Sequence, residues 1–331
     1  MPKRVLITGG AGFAASAVIQ RILDDTDWDI VVMDKLTYAS NGLTRLRDCG
    51  FLDHPRIQVL HTDIATEIPE GVAQEAGDIN IIIHMAASTH VDYSIARPWE
   101  FVVNNIHGTY WILEYARKLK NLELFEFFST DESMGNLDFD APTHVEGDAH
   151  APRNPYAATK AAGEDMVMAW GNTYRIPYII TRTMNLAGPS QGGSKFIPLC
   201  IRKILRGEEI QIHATPDCKR AGTRFYIHID DMAAALLYVI QHGKKGEIYH
   251  IVGDREVGND ELALMIGKIL GKDVNYRLVD FHSGRWGHDT RYGLNGNKLL
   301  ELGFVYPSTF EQSLTSIVHW YLEHPEWLDE R

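Results

Sequence analysis

Through roughly its first 190 residues the chain alternates short apolar runs with helix-length amphipathic stretches. That rhythm restricts the fold more than any other feature. The runs Arg4–Thr8, Ile30–Asp34, Ile57–Thr62, Ile79–Met85, Leu124–Ser129 and Tyr178–Arg182 predict strands. Most are continuously apolar, as strands buried on both faces are. Between them Ala15–Asp24, Phe101–Lys120 and Tyr156–Tyr174 read as helices, so the pattern is one of βαβ units in a doubly wound parallel sheet. After Arg182 the rhythm loosens at Gly188, Pro189, Gly192 and Gly193, with a predicted helix over Ile197–Arg206. A βα-like piece, Arg224–Val252, is expected to return to the main sheet. The remainder, Gly253–Arg331, reads as short helices and loops, giving a smaller mixed α/β part that caps the first.

Composition narrows the function classes. A chain of 331 residues with 45% hydrophobic content can bury a substantial core. Its net charge of −12 argues against a general nucleic-acid or membrane-surface partner. Cys49, Cys200 and Cys218 are too few and too scattered for a disulfide framework or a metal cage. The 15 histidines show no H-x-H or H-E-x-x-H spacing, so no metal is expected. Met1 to Ile7 runs directly into strand-like sequence, and no window approaches the ~20 apolar residues of a membrane span, so a soluble cytoplasmic protein is expected.

The segment Thr8-Gly9-Gly10-Ala11-Gly12-Phe13-Ala14-Ala15 joins the first strand to the first helix. From Gly10 it reads G-x-G-x-x-A, a form of the turn that brings backbone close to a dinucleotide pyrophosphate in Rossmann-like folds. The helix N-terminus behind it offers free amides and a partial positive charge. No Gly-Lys-Ser/Thr follows, which excludes a Walker-type loop. Asp34 closes the second strand 22 residues past Gly12, where a carboxylate accepts ribose hydroxyls and repels a 2′-phosphate. NAD is therefore preferred over NADP, a preference slightly weakened by Lys35.

Tyr156 and Lys160 share one face at the start of a helix. A neighbouring lysine, together with an oxidised nicotinamide, predicts a phenol lowered from its usual ~10 towards neutrality. Chance also produces Y-x-x-x-K on solvated helices. At the end of the fifth strand stand Thr130, Asp131 and Glu132. In a regular strand adjacent side chains point to opposite faces. Both carboxyls therefore enter one site only if the backbone leaves strand geometry there; otherwise they are a solvated acidic loop.

These residues and their order resemble the extended short-chain dehydrogenase/reductase family, and more narrowly its nucleoside-diphosphate-glucose 4,6-dehydratases. Matching stretches include Asp34 to Ala39, Ala86 to Asp92, Ser129 to Glu132, Asn154 to Tyr156, Arg182 to Pro189, Lys195 to Pro198, Arg224 to Asp231 and Gly287 to Tyr292. Thr130-Asp131-Glu132 is the specific element, because related epimerases and decarboxylases usually carry Ser or Thr at the position of Asp131. The resemblance implies an internal redox cycle on bound NAD. In it Tyr156, held by Lys160, takes the 4-hydroxyl proton of glucose as C4 is oxidised, and Thr130 bonds the same oxygen. Glu132 then removes the C5 proton and Asp131 protonates the departing 6-hydroxyl, after which hydride returns to C6 and a proton to C5, leaving a 4-keto-6-deoxy sugar.

By the same resemblance Gly9, Gly12, Phe13, Ala14, Asp34, Lys35, Thr37, Asp63, Ile64, Ala86, Ser88 and Asn104, with Tyr156 and Lys160, contact the cofactor. Ser88, His90, Thr130, Asn185, Lys195, Arg224, Asn259, Arg285 and His288 contact the nucleotide sugar. Residues 1–187 and 224–252 then form the NAD-binding part, and 188–223 and 253–331 the sugar-nucleotide part. The family's members are usually homodimers; apolar Ile106, Leu113 and Ala116 are compatible with such an interface and equally with a core. Trp320, Tyr321 and Trp327 read as packing or dimer surface.

Departures from the family pattern lie at Leu186-Ala187, at Ser133-Met134 and in a longer His213–Thr223. Ala15 in place of the third glycine, with Thr89-His90-Val91-Asp92, tilts the nucleobase towards uracil over thymine. Two other functions stay open: an epimerase or decarboxylase of the same fold, which has no need of both Asp131 and Glu132, and a non-catalytic NAD-binding protein, which has no need of Tyr156 and Lys160.

Overall fold

The computed structural model describes residues 2–37, 42–280 and 289–329. Twelve strands are found there: β1 (Arg4–Thr8), β2 (Asp29–Asp34), β3 (Ile57–His61), β4 (Ile81–His84), β5 (Leu124–Thr130), β6 (Tyr178–Thr183), β7 (Asn185–Ala187), β8 (Ile210–Ala214), β9 (Thr223–His228), β10 (Ile248–Ile251), β11 (Glu256–Gly258) and β12 (Tyr276–Asp280). Seven of them form a parallel sheet in the order β10-β6-β5-β4-β1-β2-β3. The order reverses between β1 and β4, and a doubly wound sheet binds its ligand outside the carboxyl ends of the strands at that reversal.

Alternate residues of each strand feed two cores. Val5, Ile7, Ile30, Val32, Ile81 and Ile83 pack under the helices Phe13–Asp25 and Ile229–His242. Leu6, Val31, Met33, Ile82, Phe125 and Phe127 pack under the helices Gly108–Lys118 and Pro155–Tyr174. Burial on both faces explains why these strands are uninterrupted apolar runs.

The predicted helix Phe101–Lys120 is broken into a turn at Pro98–Phe101, a π-helix at Val102–His107 and an α-helix at Gly108–Lys118. Single π-turns mark sites where a side chain must be re-aimed. Here Asn105 is turned inward onto Ser88, and Leu113 and Ala116 lie in the chain's own core.

The smaller part departs further from expectation. Of the piece Arg224–Val252, only β10 returns to the main sheet, beside β6. β9 instead pairs with β7 and β11 in a separate three-stranded sheet. Beyond Gly253 the chain also forms β12, which pairs in parallel with the earlier β8, and helices of 12 and 14 residues, Asn259–Leu270 and Phe310–Glu323. Their apolar faces, with the helix Phe196–Arg206, make a second core that contains Ile201, Leu262, Ile266, Leu314 and Tyr321. Tyr321 and Trp327 are therefore packing residues, and the Tyr321 hydroxyl donates to the Gln191 carbonyl at 2.7 Å.

Candidate active site

The carboxyl ends of β1 to β5 carry the predicted cofactor residues. Gly9 follows β1 at φ +70°, a conformation that favours glycine, and a Cβ there would stand 2.7 Å from the Ala86 Cα. The backbone after β1 and the backbone after β4 can approach this closely only without that side chain. The helix Phe13–Asp25 starts behind Gly12 with no side-chain cap and no acidic residue in its first turn. Its leading amides are left for an anion. Asp34 at the end of β2 accepts from the Ala11 and Leu36 amides at 3.1 and 2.7 Å, which locks the glycine turn to the turn after β2.

Lys35 reaches Asp63 at 3.6 Å and donates to Asn104 Oδ1 at 2.6 Å, while Asn104 Nδ2 donates to Ser88 Oγ at 2.8 Å. Residues after β2, β3 and β4 are thereby tied into one rim. Ile64 is buried beside it, Thr37 follows β2, and Phe13, Ala14 and Ala86 stay partly exposed. This cradle fits a dinucleotide. Asn105, absent from the sequence reading, braces it from beneath, taking the Ser88 amide at 2.7 Å and donating to the Ser88 carbonyl at 3.0 Å and to Thr159 Oγ1 at 2.9 Å.

The acid pair converges because β5 stops at Thr130 and the chain tightens into a 3₁₀ turn, Asp131–Met134. Strand alternation ends one residue before it would have sent the two carboxyls apart. Thr130 caps the turn, accepting from the Glu132 amide at 3.3 Å and donating to Asp131 Oδ1 at 3.0 Å. Asp131 is 5% exposed, and its Oδ2 has no hydrogen-bond partner among the described residues. Burial, and then the Glu132 charge, push its pKa up to about 7. Glu132 is raised too, chiefly by burial, against the hydrogen bond from Asn154 Nδ2 at 3.0 Å. The Tyr292 hydroxyl donates to the same Oε2 at 3.3 Å.

Asn154 also caps the helix Pro155–Tyr174 through the Ala157 amide at 2.8 Å, so a single side chain joins Glu132 to the start of the Tyr156 helix. Its place beside Pro155, a helix-start signal, was the one clue available in the sequence.

Tyr156 and Lys160 are both buried on that helix. In the chain alone the phenol stays protonated. Burial raises it above its ordinary value, the Glu132 and Asp131 charges raise it further, and only a hydrogen bond with Thr130 opposes them. Lys160 does not supply the compensating contact: its Nζ donates to the Phe128 carbonyl at 2.7 Å, 4.2 Å above the Phe127 ring. Burial in turn brings the Lys160 pKa down to about 8, against the pull of Glu164 and Glu126.

The predicted substrate residues are more dispersed. Asn185 lies on β7, and its Nδ2, like Thr183 Oγ1, is buried without a partner among the described residues. Lys195 stands exposed before the helix Phe196–Arg206. His90 precedes the helix Val91–Ala96, its ring stacked on Tyr93 at 4.3 Å. Arg224 on β9 donates to the Thr223, Thr290 and Asp289 carbonyls at 2.7, 2.9 and 2.6 Å, so part of its fork is committed to backbone. Asn259 opens the helix Asn259–Leu270 and accepts from the Tyr226 hydroxyl at 2.9 Å. Arg285 and His288 lie outside the described residues.

The NAD dependent epimerase/dehydratase family matches over residues 5–252. The chain belongs to this family. Among curated proteins, dTDP-glucose 4,6-dehydratase 1 of Escherichia coli K12 is 36% identical, across 98% of this chain and 94% of its own. A trifunctional UDP-glucose 4,6-dehydratase/UDP-4-keto-6-deoxy-D-glucose 3,5-epimerase/UDP-4-keto-L-rhamnose-reductase of Arabidopsis thaliana is 37% identical, across 98% of this chain and 48% of its own. Among solved structures, DesIV, a dTDP-glucose 4,6-dehydratase of Streptomyces venezuelae with NAD bound, superposes with a TM-score of 0.87 at 34% identity, across 98% of this chain and 99% of that one. A Bacillus cereus UDP-glucuronic acid 4-epimerase shares the fold at a TM-score of 0.86 with 22% identity. The resemblance read from the motifs, the Rossmann-like parallel sheet and the NAD dependence of the family all agree with these findings. No helix among the described residues is long and apolar enough to cross a membrane.

Proposed function

We propose that the protein is a nucleoside-diphosphate-glucose 4,6-dehydratase that converts UDP- or dTDP-glucose to the 4-keto-6-deoxy sugar, the entry point to rhamnose and other deoxysugars. The convergence of Asp131 and Glu132 beside Tyr156, produced by the 3₁₀ turn after β5, carries this conclusion. An epimerase has no elimination to catalyse and no use for two adjacent carboxyls that are both raised in affinity for a proton.

Bound NAD would supply a reversible hydride acceptor, so that the hydride lost from C4 is regained at C6 once water has left and the proton returns to C5. Tyr156 Oη withdraws the 4-hydroxyl proton, and Thr130 Oγ1 orients that oxygen. Glu132 takes the C5 proton, made acidic by the neighbouring ketone, and Asp131 gives its proton to the leaving 6-hydroxyl. The environments suit these tasks, because each carboxyl raises the affinity of a neighbour for its proton and Asp131 holds one until about pH 7.

Gly9, Gly12, Phe13, Ala14 and Asp34 with the Lys35–Asn104–Ser88 rim hold the cofactor, aided by Thr37, Asp63, Ile64, Ala86 and Lys160. Ser88, His90, Asn185, Lys195, Arg224 and Asn259, with Arg285 and His288, receive the sugar nucleotide. Residues 1–187 and 224–252 serve the cofactor and 188–223 and 253–331 the sugar nucleotide. Sugar nucleotides and NAD are cytoplasmic metabolites, and we place the protein there.

Incubating the protein separately with UDP-glucose, dTDP-glucose, GDP-mannose and UDP-N-acetylglucosamine, and weighing the products, tests the reaction. Loss of one water from a glucose nucleotide with no external oxidant is the expected result, with UDP-glucose preferred. A product of unchanged mass with an inverted centre makes the protein an epimerase instead.

The same reading includes a homodimer. Tyr93, Ile95, Trp99, Tyr110 and Tyr174 are between 38% and 67% exposed on or beside the helices that cover one face of the sheet. A cluster of large apolar side chains of this kind is unusual on a monomer. Sedimentation is expected to give twice the chain mass, falling to one chain mass when Trp99 and Tyr110 are replaced by Glu; a parent protein that sediments as one chain refutes the dimer.

A further inference from the structure

One buried charge of the Tyr156 helix takes no part in the chemistry above. Glu164 is fully buried, one turn beyond Lys160, so Tyr156, Lys160 and Glu164 follow one another at intervals of four residues. Its Oε2 meets Arg182 Nε and Nη2 at 2.9 and 2.7 Å and lies 3.0 Å from His150 Nε2. Arg182, itself 1% exposed, is fixed in turn by the Glu146 carbonyl at 3.2 Å and by His250 at 3.3 Å.

A fully buried ion pair is an expensive way to stabilise a fold, since apolar residues of the same volume often do as well. What distinguishes this one is the other oxygen. Glu164 Oε1 accepts from Ser129 Oγ at 2.5 Å and from Ser133 Oγ at 3.2 Å. Those two serines bracket Thr130-Asp131-Glu132 on either side, and Ser133 Oγ also reaches the Thr130 carbonyl at 2.8 Å. The pKa of Glu164 is held down to about 2 by His150, Arg182 and Ser129, against the cost of burial, so its acceptor oxygens are charged at any physiological pH.

We propose that Glu164 is a positioning residue, which grips Ser129 and Ser133 at the two ends of the acid turn and sets Asp131 and Glu132 against Tyr156. One face of one helix thus places the phenol, its lysine and the anchor of the acid pair, and the β5 strand end cannot shift relative to the phenol without breaking charged hydrogen bonds. This rests on the dehydratase reading for its catalytic half only; the grip itself is a matter of structure.

The test replaces Ser129 and Ser133 together by Ala, which leaves the Glu164–Arg182 pair whole. Deuterium exchange in the peptide spanning residues 129–135 is expected to quicken at least about tenfold, with β1 and the distal helix Phe310–Glu323 unchanged. The kcat for water loss is expected to fall roughly ten- to hundredfold with KM held within about twofold, the mark of misplaced reacting groups. Unchanged exchange overturns the grip. Quicker exchange with an unchanged kcat overturns its service to the acid pair. A parent protein that removes water from no sugar nucleotide sinks the dehydratase reading instead, and the exchange comparison still decides the grip.

Discussion

Asp131→Asn is expected to lower kcat for water loss by about 10²–10⁴-fold, the usual worth of a proton donor, while cofactor content stays as in the parent. The substitution keeps the shape of the side chain and the oxygen to which Thr130 donates. What it removes is a proton that the folded protein holds to about pH 7, three units above a free aspartic acid, because burial and the Glu132 charge both penalise the anion. The sign of the pH effect follows. The parent is active as an acid below that value, so kcat is expected to decline as pH rises through about 7.

Stability has the opposite dependence on this group from that of a salt-bridged carboxylate. An aspartate whose folded pKa is raised binds more protons in the native state, so it costs stability increasingly between about pH 4 and pH 7. Asp131→Asn removes that cost. The variant is expected to melt no lower than the parent at pH 8, measured by calorimetry, which separates a lost proton from a lost fold. Normal turnover in this variant makes Asp131 the wrong acid.

Tyr156→Phe is expected to cost about 10³-fold or more in kcat, with the dissociation constant of the sugar nucleotide changed only a few-fold. The phenol is buried, with the Phe101 ring packed edge-on at 6.3 Å, so the variant loses an oxygen and no packing. The chain alone holds this phenol protonated, since burial and two facing carboxyls outweigh its hydrogen bond with Thr130. In the proposed mechanism, deprotonation is expected to draw on the positive charge that the oxidised cofactor brings to the site. Calorimetric binding and single-turnover rates on the same preparation check this. A variant that retains more than about a tenth of the parent rate rules Tyr156 out as the base.

Much of the architecture was legible because it is local. Hydrophobic period and length identified β1 to β6 within one or two residues at each end, and the helices Phe13–Asp25 and Pro155–Tyr174 beside them. The glycine turn and Asp34 could be placed at strand ends from spacing alone. β9 could not be placed, because Thr223–His228 is as strand-like as its neighbours and nothing within it says that its partners are β7 and β11. The π-turn was hidden for a similar reason: within it Asn105 accepts from the amide of Ser88, 17 residues earlier, a long-range contact that no local pattern announces.

The site divides the same way. Which residue types are present, and that an acid pair, a phenol and a lysine stand at strand and helix ends, belongs to the sequence, because those positions follow from short-range periodicity. That the two acids share a face, that Asn154 ties Glu132 to the Tyr156 helix and that Glu164 reaches back 35 residues to Ser129 belongs to the tertiary structure. So does the raised phenol. Proton affinity is set by solvent exclusion and by charges on other elements, and neither quantity exists until those elements have packed together.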